Sequence, residues 1–130
     1  DALEAVNSAQ QCGIVPGGGI TLLRCRDFEI DAENEDQQIG ATVIRKSLEA
    51  PIRQMAYNAG ISADLIIDKI ENKVEKNIGW DFKNSQMVDM MLSGIIDPAK
   101  VVCTTIQNAV SVSSTLVTMN NAIVEITNES

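Results

Sequence analysis

The sequence contains no histidine and very few aromatic residues. Without histidine, the chain cannot form a Ser-His-Asp triad or a histidine metal site, and it lacks the usual general base. Any chemistry must therefore use carboxylates, backbone groups or residues outside this chain. Because the aromatic residues are limited to Phe28, Tyr57, Trp80 and Phe82, the core is predicted to be aliphatic, built from Ile, Val, Leu, Met and Ala.

Long apolar runs and basic stripes are also absent. No apolar run approaches the roughly 20 residues that a membrane span needs, and the first residues have neither the basic flank nor the apolar stretch of a secretory signal. The formal net charge is −8, whereas nucleic-acid binding usually requires a basic patch. We therefore expect neither a membrane nor a nucleic acid as a partner.

The three cysteines, Cys12, Cys25 and Cys103, form no CxxC motif and cannot all pair. This pattern is typical of reduced structural thiols in a reducing compartment. At 130 residues and 45% apolar content, the chain has the size and the apolar share of one ordinary domain.

Apolar residues with helical spacing dominate the chain and predict a mainly α structure. At the start, the spacing begins at Ala2 with no capping residue before it, so we expect a helix that begins upstream and an N-terminus produced by a cut. Further on, Pro51 is predicted to separate two helices, the second of which ends at Gly60. The predicted helices after the first cover 20–24, 37–49, 51–59, 62–74, 87–92 and a long segment from Pro98.

Two segments depart from helical spacing. Residues 76–86, which include Ile78–Phe82, predict a short β-hairpin. The β-branched run Ala122–Ile126 predicts a C-terminal strand. Because an isolated edge strand is unstable and prone to pair with another chain, this strand implies a partner, either the rest of the same polypeptide or a neighbouring subunit.

Two short motifs are candidates for ligand contact. Pro16 is followed by three glycines, Gly17–Gly19, which free the backbone to approach a ligand closely and to present N–H groups to an anion; the alternative is an ordinary turn between helices. Asp97 before Pro98 is predicted to cap the following helix.

Taken in order, these and other motifs resemble group I chaperonins, the double-ring folding machines of bacteria, mitochondria and plastids. The resemblance extends over essentially all 130 residues, and no single motif carries it alone. Its most specific motif is Gly94-Ile95-Ile96-Asp97-Pro98-Ala99-Lys100-Val101. The others are Gly13-Ile14-Val15-Pro16-Gly17-Gly18-Gly19, Asn34-Glu35-Asp36-Gln37, Leu48-Glu49-Ala50-Pro51, Asn58-Ala59-Gly60 and Gln107-Asn108-Ala109-Val110-Ser111-Val112.

The resemblance implies that residues 1–130 are the C-terminal part of one equatorial domain, the ATP-binding and ring-forming domain, with no complete second domain. The implied fold is a helical bundle that is mainly α, with the hairpin near 76–86 and the C-terminal strand. The first equatorial segment, with its phosphate and metal motif GDGTT, and the intermediate-domain aspartate that helps activate water would lie outside this chain. The whole protein would thus be an ATPase, and this chain alone is not expected to hydrolyse ATP.

The resemblance also implies which residues contact ATP or ADP. Gly17 and Gly18 match glycines that lie against the sugar and phosphate side of the nucleotide. Asp97 matches an aspartate that accepts a hydrogen bond from the ribose hydroxyls, and this role is compatible with helix capping because a carboxylate has about four lone-pair sites. Ile95 would form an apolar wall for the adenine; the alternative for Ile95 is plain core packing. The ligands of Mg²⁺ and of the phosphates would come from the segments outside.

At Asp81, Phe82 and Lys83 this chain departs from the family, which often has Asn-Ala-Ala there beside the adenine and ribose. Aspartate in place of asparagine loses an amide donor, and phenylalanine in place of alanine adds a ring that either stacks on the adenine or obstructs it. The alternative is a hairpin whose aromatic residues pack locally.

The partners implied by the resemblance are the polypeptide's own first equatorial segment, identical subunits in a heptameric ring, a co-chaperonin and unfolded polypeptide clients. The implied compartment is the mitochondrial matrix or the plastid stroma, with the bacterial cytoplasm as the alternative. A second class of function is a structural or interaction protein, a diverged chaperonin relative that assembles without ATP. A free-standing small enzyme is disfavoured, since the chain has no histidine and no complete phosphate loop.

Overall fold

The computed structural model describes residues 2–27, 29 and 31–129, with side chains as far as residue 115. This part of the chain contains five helices and four short strands. No described helix is long and apolar enough to cross a membrane. The elements are α1 (Ala2–Cys12), β1 (Ile14–Pro16), α2 (Ile20–Cys25), α3 (Glu35–Asn58), α4 (Ala63–Glu71), β2 (Ile78–Asp81), β3 (Gln86–Asp89), β4 (Ile96–Pro98) and α5 (Ala99–Glu129).

The strands form two separate antiparallel pairs. In one pair β2 and β3 make a hairpin, with Trp80 opposite Met87, which confirms the predicted hairpin and extends it to residue 89. In the other pair β1 lies against β4, with Val15 opposite Asp97. This second pairing joins segments that are far apart in the sequence, and it was not predicted.

The predicted helix over 87–92 is wrong, because its first residues belong to β3. The side chain of Asp81 accepts hydrogen bonds from the backbone N–H groups of Lys83 and Asn84, which reverses the chain and brings Met87 back to Trp80. After β3, the side chain of Asp89 accepts a bond from the Leu92 N–H over 3.0 Å. Residues 90–94 therefore form turns rather than a helix.

The predicted break at Pro51 is also wrong, because α3 continues through it from Glu35 to Asn58. A proline inside a helix removes one backbone hydrogen bond and costs about 3 kcal/mol or more. On either side of it, however, Leu48 is 2% exposed and Ile52 is fully buried, and Glu49 pairs with Arg53 across the proline over 2.9 Å. This packing and ion pairing hold the two halves in one helix. Gly60 follows the helix with a φ of 70°, as predicted for its end.

The predicted C-terminal strand Ala122–Ile126 lies within α5, which runs to Glu129. A strand needs a neighbouring strand for its backbone N–H and C=O groups, whereas a helix satisfies them within itself. Neither described strand pair offers this segment a partner. The helix is therefore the form that satisfies its backbone within this chain.

Two apolar clusters hold the elements together. The larger cluster joins α2, α3, α4 and the hairpin, and its buried members are Ile20, Leu23, Ile52, Ala56, Ile66, Ile67, Ile70 and Met90. The smaller cluster joins α2, α3 and α5 through Leu22, Leu48 and Val102. The glycine turn between β1 and α2 lies next to the larger cluster, and this position fixes the geometry of the candidate site.

Candidate functional site

Gly17 is packed against the segment that enters β4. Its backbone N–H donates to the carbonyl oxygen of Ile95 over 2.8 Å. A Cβ at this position would lie 3.1 Å from backbone atoms of Ile95 and Ile96, so only glycine fits without displacing the backbone. Since the Gly17 N–H is already bonded, the prediction that this turn offers its N–H groups to an anion fails at Gly17.

Gly18 has a φ of +68°, a backbone conformation that glycine adopts readily and other residues rarely do. A Cβ here would overlap the Cε of Met90, and it would lie 3.7 Å from the Trp80 carbonyl oxygen and 3.9 Å from Ile95 Cγ2. Gly18 is thus in close contact with the hairpin and with Ile95. No described backbone hydrogen bond is donated by its N–H.

Asp97 joins this group through the β1–β4 pairing, which sets it opposite Val15, two residues before Gly17. The residue is half-buried, and this burial raises the pKa of its carboxyl group. Among the described residues, no hydrogen bond to its side chain is present, so its oxygens are uncommitted acceptors.

The predicted helix cap at Asp97 is wrong, because Asp97 and Pro98 lie in β4 and α5 begins at Ala99. Extended pairing with β1 holds Asp97 away from the first turn of α5. The Ala99 N–H donates to Gly13 O instead, over 3.0 Å.

Asp81 is 7% exposed and is occupied by the turn of the hairpin. It accepts bonds from the Lys83 N–H (2.9 Å), the Asn84 N–H (3.3 Å) and the Asn84 side-chain amide (2.8 Å). The side-chain bond from Asn84 is the main cause that lowers the pKa of Asp81, and the backbone bonds from Asn84 and Lys83 lower it further. In the described structure this carboxylate serves the hairpin.

The two residues after Asp81 diverge in exposure. Phe82 packs against the larger apolar cluster, as the local-packing alternative predicts, and Lys83 is exposed. The structure therefore brings Gly17, Gly18, Ile95 and Asp97 together next to the end of β2, while Asp81 and Phe82 are engaged within the hairpin region.

Met90 and Gly79 were missed at the sequence level. Met90 is fully buried and lies between the two glycine positions, since a Cβ on Gly79 would come within 2.9 Å of Met90 Cγ. A glycine inside a strand indicates close approach by another group, so Gly79 in the predicted hairpin indicates such an approach. Nothing in the sequence indicated that the approaching group is Met90.

The grouped residues fit the adenosine part of a nucleotide. They provide a side-chain-free glycine surface, an apolar wall at Ile95 and an acceptor for hydroxyl groups at Asp97. Among the described residues, no group of three or more acidic or thiol side chains that could hold a metal ion occurs. A separate cleft of about 390 Å³ between α3 and α5, bordered by Asn34, Ile44 and Ser113, includes none of these residues.

Among solved structures, a group III chaperonin in the open state resembles this chain with a TM-score of 0.62 and 25% sequence identity. The match covers 85% of this chain and 24% of that chaperonin chain. The sequence model of the TCP-1/cpn60 chaperonin family matches residues 1–127. The chain therefore belongs to the TCP-1/cpn60 chaperonin family.

Proposed function

We propose that this chain is the C-terminal part of the equatorial domain of a group I chaperonin. In an ATP-dependent protein-folding machine it would form the adenosine side of the nucleotide pocket and contacts between ring subunits. The observation that carries this proposal is the meeting of Gly17–Gly18 with Ile95 and Asp97. These residues are far apart in the sequence and meet through the Gly17–Ile95 hydrogen bond and the β1–β4 ladder.

Each residue of this group has a distinct part in binding. Gly17 and Gly18 give the ribose a surface without side chains, and the Asp97 carboxylate accepts hydrogen bonds from the ribose hydroxyls. Ile95 packs against the adenine and excludes water from it. The end of the hairpin, with Asp81, Phe82 and Lys83, borders the adenine side, where Asp81 and Phe82 act by shaping the hairpin.

ATP with Mg²⁺ would supply the free energy of the folding cycle when bound and hydrolysed. The phosphate and metal ligands would come from the first equatorial segment, outside this chain. The residues described here would bind and orient the nucleoside, and this chain alone would not hydrolyse ATP.

Exposed apolar side chains on α1 and α5 support the proposed partners. Leu3 is 73% exposed, and Val6, Val110 and Val112 are also exposed. Faces of this kind fit burial against other protein surfaces. We propose that the polypeptide's own first equatorial segment and identical subunits of a heptameric ring cover them. A co-chaperonin and unfolded clients would bind elsewhere in the whole protein.

The proposed compartment is the mitochondrial matrix or the plastid stroma, and the bacterial cytoplasm is the alternative. The three free cysteines are compatible with each of these reducing environments. Fractionation of the native source with an antibody against this chain would decide among them.

The test is nucleotide binding by the full-length polypeptide that contains this chain, with and without Asp97→Ala. A hydrogen bond to a charged group contributes about 1.5–3 kcal/mol, so Asp97→Ala should raise the Kd for ADP by roughly 10- to 100-fold. Asp68→Ala, which removes an exposed aspartate of α4, is the matched control. Unchanged ADP affinity in a folded Asp97→Ala protein would refute the adenosine role.

Calorimetry on the 130-residue chain alone is a second arm. We expect no ADP or ATP binding tighter than about the millimolar range, since the phosphate half of the pocket is proposed to lie elsewhere. Micromolar binding that is lost in Asp97→Ala would show that this half forms an adenosine site unaided.

A second candidate function is assembly without ATP, as in a diverged chaperonin relative. It is favoured by the hairpin, where the Asp81 carboxylate is committed to the turn and Phe82 packs on the core. Rings that form from a full-length protein with no measurable nucleotide affinity would support this second candidate over the first.

A further inference from the structure

Met90 lies directly after β3, and its side chain is fully buried. It belongs to the larger apolar cluster together with Ile20 and Ile52. It lies between two glycines that come from different segments, Gly18 of the glycine turn and Gly79 of the hairpin, and Ile20 at the start of α2 also approaches Gly79.

The side chain of Met90 contacts both of these segments. Its Cε occupies the space that a Cβ on Gly18 would need, and its Cγ would be 2.9 Å from a Cβ on Gly79. Methionine is unbranched and adapts to irregular gaps, so one side chain reaches from the hairpin to the glycine turn. The absence of side chains at Gly18 and Gly79 provides the room.

The backbone of Met90 connects the same segments through three successive hydrogen bonds. The Met90 N–H donates to Asn77 O over 2.8 Å, the Ile95 N–H donates to Met90 O over 2.9 Å, and the Gly17 N–H donates to Ile95 O over 2.8 Å. This series runs from the base of the hairpin to the glycine turn. Met90 takes part in the first two of these bonds, and Ile95 takes part in the last two.

We propose that Met90 is a positioning residue for nucleotide binding, which sets the spacing between the Gly17–Gly18 turn, Ile95 and the hairpin. The inference rests on the proposed function of that site. Met90 touches no nucleotide itself and acts through Gly18 and Ile95. Met90 differs in this respect from the cluster residues on α4, because none of the atoms nearest to Gly17, Gly18 or Gly19 belongs to α4.

Two substitutions of Met90 separate positioning from stability. Met90→Leu preserves most of the volume, and swaps of this kind are well tolerated in cores; leucine nevertheless lacks the terminal methyl group that contacts Gly18. Met90→Ala removes the contact entirely. Ile66→Ala is the matched control, because Ile66 is 1% exposed in the same cluster and lies on α4.

The measurements use the full-length polypeptide, below the unfolding temperature of every variant. We expect Met90→Leu to raise the KM for ATP about 3-fold and Met90→Ala about 10-fold, with kcat changed less than about 2-fold. Ile66→Ala should lower the Tm as much as Met90→Ala does and leave KM unchanged. Hydrogen exchange at the Gly17 amide should be about 10-fold faster in Met90→Ala and unchanged in Ile66→Ala.

If Ile66→Ala raises the KM for ATP as much as Met90→Ala does, the proposal is overturned, because the rise in KM then follows from lost stability alone. Unchanged KM and unchanged Gly17 exchange in Met90→Leu and Met90→Ala would overturn it as well. If Met90→Ala does not fold, the KM for ATP and the Gly17 amide exchange of Met90→Leu alone decide whether Met90 positions the turn. If the wild-type protein neither binds nor hydrolyses ATP, the proposed function fails, and Gly17 exchange still decides whether Met90 positions the turn.

Discussion

The two sides of the molecule differ in how completely they bury their apolar residues. The hairpin side, formed by α2, α4, the β2–β3 hairpin and the C-terminal half of α3, contains eight buried residues in one cluster. The α1–α5 side, formed by α1, α5 and the N-terminal half of α3, contributes only Val102 of α5 to a smaller cluster of three, in which it meets Leu22 of α2 and Leu48 of α3. No residue of α1 is buried.

The hairpin side is also joined by an ion-pair network around Glu49, which is 19% exposed. Arg26, at the end of α2, pairs with Glu49 on α3 and with Glu71 on α4. Arg53 pairs with Glu49 and with Asp64, both over 2.9 Å. Three helices are therefore tied by charge as well as by packing.

The difference indicates where this chain supplies its own core and where other protein surfaces fit. The hairpin side is packed within the chain, and the Gly17–Gly18 turn of the candidate nucleoside site lies against it. The α1–α5 side presents apolar side chains, and there we propose that the first equatorial segment and a neighbouring subunit pack. Four predictions test this contrast, in order of decreasing effect on stability.

The largest effect is expected from a cavity on the hairpin side. Ile70→Ala removes a fully buried side chain and should lower the free energy of unfolding by about 3 kcal/mol. Val110→Ala on α5, where Val110 is 43% exposed, is the matched change and should cost less than about 0.5 kcal/mol. Urea unfolding of both variants is the measurement. Equal losses would contradict the contrast between the two sides.

Breaking the ion-pair network should have the next largest effect. Burial opposes ionisation of Glu49, but its bonds to Arg53 and Arg26 outweigh it and leave the pKa of Glu49 lowered from 4.5. Glu49→Gln should cost about 2 kcal/mol at pH 7. Because the folded pKa is the lower one, this stabilisation is present above pH 4.5 and is lost as the pH falls through the folded pKa.

Urea unfolding at pH 7 and at a series of acid pH values measures this change, with Asp68→Asn as the control for a lost surface charge. The difference in the free energy of unfolding between wild type and Glu49→Gln should become smaller as the pH falls. If this difference stays constant across the acid series, the ion-pair network contributes little to the free energy of unfolding.

A smaller change of opposite sign is expected at Asp97. Burial raises the pKa of this carboxyl group above 3.8, so its ionisation in the folded state opposes folding. Stability attributable to Asp97 is therefore greatest below pH 3.8 and decreases as the pH rises through the folded pKa. Asp97→Asn should raise the free energy of unfolding at pH 7 and leave it unchanged below pH 3.8. The same substitution should weaken ADP binding by the full-length protein. Loss of stability at pH 7 would contradict this account.

The smallest effect on stability is expected on the α1–α5 side. Val112 is 58% exposed, so Val112→Lys should change the free energy of unfolding by less than about 0.5 kcal/mol. If this face is covered in the whole protein, the same variant should reduce ring assembly of the full-length polypeptide. Sedimentation velocity measures assembly, and Lys46→Ala serves as a surface control on α3. Normal assembly of Val112→Lys would place the subunit contact elsewhere.

Periodicity in the sequence predicted where the helices lie, but not always which side chains they bury. Helical spacing sets Leu65, Ile66 and Ile70 on one face of the predicted helix over 62–74, with Val74 as a further candidate. The structure buries Ile66 and Ile70, whereas Leu65 is 52% exposed and Ile67 is buried instead. Val74, which lies beyond the end of α4, is 90% exposed.

On the helix from Pro98, the same spacing places Val102, Val112 and Leu116 in one stripe. Val102 is buried, whereas Val112 is 58% exposed and its neighbour Ser113 is buried, with the Ser113 hydroxyl donating to Ala109 O over 2.8 Å. Leu116 of the same predicted stripe lies outside the described side chains.

The sequence by itself determined the helical character, the hairpin, the end of α3 at Gly60 and the family resemblance, because these depend on local spacing, turn residues and ordered motifs. Only the tertiary structure decided the rest. It paired β1 with β4, carried α3 through Pro51 and set Met90 between Gly18 and Gly79. Each of these depends on contacts between segments far apart in the sequence or on packing that outweighs a local preference, and local patterns do not encode such contacts.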